Sequence, residues 1–117
     1  MSLLAVSLIL LVAALHAGFL VLEMFLWTKP AGLKVFRQSR EKAEQSKALA
    51  ANQGLYNGFL AAGLIWAAAG GRRDVALFFL GCVVVAGVYG AATVNRRIFF
   101  VQAVPALLAI AAVCLAG

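Results

Sequence analysis

The sequence predicts an all-α protein, an integral membrane four-helix bundle with up-down-up-down connectivity. Three observations carry that reading. Hydrophobic residues make up 65% of the chain and charged residues only 12%, whereas soluble domains are roughly half apolar and about a quarter charged. The mean hydropathy is +1.01. The apolar residues also fall into four runs, each close to the ~20 residues a membrane-crossing helix needs, separated by short charged connections. The 117 residues are used up by those runs and connections. A single transmembrane domain over residues 1–117 is therefore expected, with no soluble domain beside it.

The first span is expected over about residues 3–27. It opens Met1-Ser2-Leu3-Leu4 with no basic flank and outruns the roughly 7–15 apolar residues of a signal-peptide core, so it reads as a retained span. Lys29-Pro30-Ala31-Gly32 should end it, because proline cannot continue the hydrogen-bond ladder. Residues 28–47 form a charged loop and helix extension, with Leu33 and Phe36 dipping into the interface. Ser39 is placed to cap a helix beginning near Arg40, with Glu41 favoured in its first turn. Arg40/Glu44 and Glu44/Lys47 have the spacing of helical ion pairs. That helix should enter the hydrocarbon near Ala48 and form the second span, about 48–69.

Gly70-Gly71-Arg72-Arg73-Asp74 reads as a tight turn into a third span, about 75–93. Asn95-Arg96-Arg97 is the next turn, and the fourth span covers about 98–115, where Pro105 should bend the helix and free a carbonyl. Gly54/Gly58 and Ala86/Gly90 have the spacing that lets helices approach closely, read as packing within the chain.

The net charge of +6 sits in the connections, where it orients spans and meets lipid headgroups. No basic-aromatic interleaving suggests nucleic acid, which is not expected as a partner. Six Lys/Arg precede the second span, two lie between the second and third, and two between the third and fourth. Connections 28–47 and 94–97 share one side and hold most of the positive charge, so that side is cytoplasmic by the positive-inside rule. A multi-pass protein of the cell (inner) membrane with both termini outside follows. Trp27 and Trp66 fall near opposite interfaces, as an aromatic belt would place them. Cys82 and Cys114 lie in apolar runs without ligand-like spacing, and buried Cys commonly packs as a small hydrophobe. No metal site and no cofactor are expected.

Polar side chains are expensive inside a bilayer and usually face the bundle interior. Here they sit in one half of it: Glu23 in the first span, Asn52, Gln53, Tyr56 and Asn57 in the second, Tyr89 and Thr93 in the third, and Gln102 in the fourth. His16 lies deeper, seven residues from Glu23 and so near the same helical stripe, about 10 Å along the axis. Asn52/Tyr56 and Gln53/Asn57 are two pairs at i,i+4, of which at least one should face inward. These nine residues are the candidate ligand-binding set. No catalytic triad, HExxH, CxxC, GxGxxG or P-loop pattern is present, and catalytic residues are unassigned.

The leading expectation is a pocket that binds or transports a small hydrophobic or cationic molecule, or a lipid headgroup, with membrane lipid as the surrounding partner. A homodimer would be needed for transport, since four helices are few for a private pathway. Alternatives are a membrane enzyme acting on a lipid or isoprenoid, with Glu23 and His16 as acid and base, and a structural or accessory subunit in which the polar groups join helices.

Leu22-Glu23-Met24-Phe25-Leu26-Trp27 and Ala51-Asn52-Gln53-Gly54-Leu55-Tyr56-Asn57-Gly58-Phe59-Leu60-Ala61, together with His16, Pro30, Phe36, Gln102 and Pro105, resemble domain-of-unknown-function family 1304. The resemblance spans essentially the whole chain. It implies a small four-span membrane protein whose signature residues are those just gathered, and it implies no activity. Length and span count are also similar to the small multidrug resistance transporters, with Glu23 in a loosely similar place. No motif matches, so that likeness is an analogy.

Overall fold

The computed structural model describes residues 1–116, and all regular structure among them is helical. Helix α1 spans Leu3–Met24, α2 Pro30–Phe36, α3 Arg40–Gly70 and α4 Arg73–Thr93; a π-helical turn over Phe99–Ala103 leads into α5, Val104–Ala116. Two of these, α1 and α4, are long and apolar enough to cross a membrane. The all-α class is thus borne out. The chain divides into two compact units, one made of residues 1–14 and 60–117, the other of residues 15–59.

In the first unit, four helices contribute to one apolar core. Ala5, Ile9 and Val12 of α1 meet Leu64 and Ala67 of α3, Ala76, Leu80 and Val83 of α4, and Ala106, Ala109 and Val113 of α5, all fully buried. Five of these eleven are alanines, which let helices pack closely. The π-helical turn and α5 both pack on α4. Gly87 makes room for that contact: a Cβ there would stand 2.8 Å from the Ala103 nitrogen and 3.1 Å from the Gln102 Cβ.

In the second unit, the end of α1 and the start of α3 run antiparallel. Gly58 lies against Leu20, and Gly54 against Met24 and Glu23, while the Trp27 indole N–H donates to Ser46 Oγ at 3.1 Å. As numbers rise along α1 they fall along α3. The Gly54/Gly58 spacing therefore serves packing within the chain.

Several expected boundaries move, each for a local reason. The first helix stops at Met24, short of Trp27. The amide N–H groups of Phe25 and Leu26 both donate to the Val21 carbonyl, which widens the last turn and closes it. The segment expected as a charged loop holds an extra helix, α2, with Pro30 in its first turn, where the missing N–H is harmless. Gly32 of α2 sits on the backbone of the preceding turn, and a Cβ there would come within 2.8 Å of the Leu26 carbonyl carbon. Arg37 ends α2 in the left-handed region at φ 50°.

Ser39 caps α3 as expected, accepting the Lys42 N–H at 3.1 Å. Glu44 and Lys47 form the expected ion pair at 3.1 Å.

The turn after α3 is tighter than Gly70–Asp74. Gly71, at φ 61°, lets the N–H groups of Arg72 and Gly71 return to the Ala67 and Ala68 carbonyls, a Schellman closure. Arg73 and Asp74 already belong to α4. Between α4 and the π-helical turn, the Asn95 side-chain oxygen accepts the Arg97 N–H at 2.8 Å, an Asx turn. The last helix is not one α-helix. Val104 donates to the Phe99 carbonyl, and this widened turn lies where the Pro105 ring would otherwise meet the Val101 carbonyl.

Candidate functional site

Glu23 is on the last turn of α1 and only 4% exposed. Two amides from α3 hold its carboxylate. Gln53 Nε2 donates to Oε2 at 2.7 Å and Asn57 Nδ2 donates to Oε1 at 2.5 Å. The four-residue step from Gln53 to Asn57 is one helical turn, so both amides reach the same carboxyl group. Gly54 lies between them, and its lack of a side chain brings the α3 backbone onto Glu23 and Met24. The string Asn52-Gln53-Gly54-Leu55-Tyr56-Asn57 thus encodes two donors and one close approach.

The site has a floor and a rim. Asn57 is buried, whereas Gln53 is exposed. One end of the same helix pair is fixed by Trp27, whose ring packs 4.7 Å from Phe36 and whose N–H binds Ser46; Ser46 in turn donates to the Lys42 carbonyl at 2.9 Å. The ion pairs among the described residues, Glu44–Lys47 and Arg72–Asp74, lie elsewhere, so the partners of Glu23 named here are neutral amides. Neither Lys29 nor Lys47 claims it.

The remaining candidates have other surroundings. His16 is fully buried, with its ring edge-on to Phe19 at 5.1 Å. Asn52 is exposed, as is Tyr56, whose ring packs edge-on to Phe59 at 5.7 Å. In the other unit Tyr89 is 70% exposed, and Thr93 turns its hydroxyl back to the Tyr89 carbonyl at 2.7 Å. Gln102 is half-buried beside Gly87. Of the two i,i+4 pairs in α3, Gln53/Asn57 is the one that engages Glu23. Among the described residues no three His, Cys, Asp or Glu side chains stand together as metal ligands.

The arrangement defines a helical protein with a buried carboxylate clamped by paired amides. The chain belongs to the family described as "Protein of unknown function (DUF1304)", which matches residues 10–114. It is similar to "Uncharacterized protein YpaA" of Lactococcus lactis subsp. lactis (strain IL1403), 32% identical over 114 residues that cover 94% of this chain and 96% of that protein. No solved structure matches the chain.

Proposed function

We propose that the chain is a four-span membrane protein that binds, and as a homodimer moves, a small cationic or amphiphilic molecule at Glu23. Support for membrane residence begins with α1 and α4. The other two expected spans depart from that pattern for identifiable reasons. The apolar part of α3 carries Asn52, Gln53 and Asn57, and the apolar run Phe99–Leu115 is broken by its π-helical turn. Its 17 residues rise about 25 Å at 1.5 Å each, close to the hydrocarbon thickness of ~30 Å.

The observation that carries the binding role is the clamp. A carboxylate whose named donors are both neutral amides has its hydrogen bonds met but its charge unmatched by them. The amide oxygens of Gln53 and Asn57 add acceptors beside it. Such a set suits a guest that brings positive charge and N–H donors, entering past the exposed Gln53. The same clamp would also serve as interhelical glue, and the two roles separate on one substitution. Glu23→Gln keeps the shape, and one amide flip restores its hydrogen bonds, while the charge is gone.

The test is thermal stabilisation of the purified protein in lipid nanodiscs by a panel of primary amines and lipophilic cations. Saturable stabilisation is expected in the wild type and in Glu44→Gln, an exposed-carboxylate control, and its loss in Glu23→Gln. Equal stabilisation of Glu23→Gln, or none in the wild type, would overturn the binding role. Carbonate extraction tests membrane residence, and reporter fusions at the termini and in residues 28–47 and 94–97 test the orientation.

A further inference from the structure

Away from Glu23, the α3–α4 turn carries an open groove of about 360 Å³ lined by Trp66, Asp74, Val75, Phe78 and Phe79. Its lining is apolar and aromatic except for Asp74, which pairs with Arg72. The Schellman closure at Gly71 folds Arg72 back so that its guanidinium carbon lies 5.8 Å from the Trp66 ring centroid. Arg72 also grips Asp74 with two bonds, Nε to Oδ1 at 3.0 Å and Nη2 to Oδ2 at 2.8 Å. That grip uses two of the five guanidinium N–H donors, and the side chains of Arg72 and Asp74 remain 50% and 70% exposed. The groove wall depends on Gly63, because a Cβ there would enter the ring of Phe79.

We propose that this groove seats a zwitterionic aminophospholipid, with its phosphate on Arg72, its primary ammonium on Asp74, and one acyl chain against Trp66 and Phe78. The charge pattern selects the class. A positive and a negative group held side by side match a headgroup carrying both signs, whereas an anionic headgroup offers no ammonium for Asp74. A quaternary ammonium has no N–H to give Asp74. Held arginine also recognises phosphate through several donors at once. The inference rests on the membrane reading above but not on the binding role of Glu23.

The test is native mass spectrometry of the full chain released from bilayers containing equal phosphatidylethanolamine, phosphatidylglycerol and phosphatidylcholine with identical acyl chains. The expected result is preferential retention of phosphatidylethanolamine by about fivefold, the scale of one exposed ion pair. Asp74→Asn should abolish its advantage over phosphatidylcholine, and Trp66→Ala should lower retention of all three. Both residues are exposed, so neither change opens the core. Equal retention of the three lipids, preference for phosphatidylglycerol, or an unchanged pattern in Asp74→Asn would overturn the proposal. A protein that stays in carbonate-washed membranes yet retains the lipids alike fails this inference alone; one that washes off fails the membrane reading.

Discussion

Asn57 and Glu23, 34 positions apart, are joined by a 2.5 Å hydrogen bond between two buried side chains. Removing the donor strands a buried acceptor, which costs about 1–3 kcal/mol. Asn57→Ala should lose stability on that scale. Gln53→Ala should lose less, because Gln53 is exposed and solvent can replace its donor. Thermal or denaturant unfolding in detergent gives the order. Equal losses would mean the rim and floor are not distinct.

The glycines make opposite predictions at two positions. At Gly32 an added Cβ would stand 3.0 Å from the Trp27 Cα, and backbone cannot swing away as a side chain can. Gly32→Ala should cost about 1–3 kcal/mol and shift Trp27 fluorescence by breaking the bond to Ser46. At Gly18 nothing lies within 4 Å, so Gly18→Ala should stabilise α1 by up to about 1 kcal/mol. A destabilised Gly18→Ala would count against the packing described.

Arg37 holds a left-handed backbone conformation, φ 50° and ψ 50°, which costs an L-residue about 1–2 kcal/mol. Arg37→Gly removes the clash and adds unfolded-state entropy, leaving a net gain of about 0.5–1 kcal/mol. The gain should appear as a higher melting temperature with unchanged helicity by circular dichroism.

The Arg72 guanidinium holds the Asp74 carboxyl down at about 2, against an ordinary value near 3.9. A depressed acid stabilises the folded state above its unfolded pKa. The contribution should shrink as pH falls below about 4 and vanish below about 2. Because the pair is exposed, the effect should be small and salt-sensitive. NMR titration of the Asp74 carboxyl carbon reads it directly, and a midpoint near 4 would sink it.

Composition alone carried the all-α class, because apolar runs of this length have few other uses. The Ser39 cap and the Glu44–Lys47 pair were legible for the same reason: they depend on neighbours in sequence. Helix periodicity narrowed α3 to two candidate pairs but could not say that Gln53/Asn57, not Asn52/Tyr56, faces Glu23. That choice is made by the crossing of α1 and α3 at Gly54, a tertiary fact. The end of α1 was missed because the Val21 carbonyl takes two donors, and no residue type signals that. Pro30 fits the first turn of α2 as well as the end of the helix before it, and proline alone does not separate the two roles. Tyr89 and Thr93 lie in the other unit, and depth along a span does not tell which way a side chain points.

The π-helical turn before Pro105 leaves the last helix one residue richer than an α-helical pitch requires. That surplus acts as slack. A single deletion within Phe99–Ala103 would let the ladder tighten from i→i−5 to i→i−4, whereas the same deletion in α4 would turn everything beyond it by about 100°. The last helix therefore holds a place where chain length can change without turning the residues beyond it, and it packs beside Gly87.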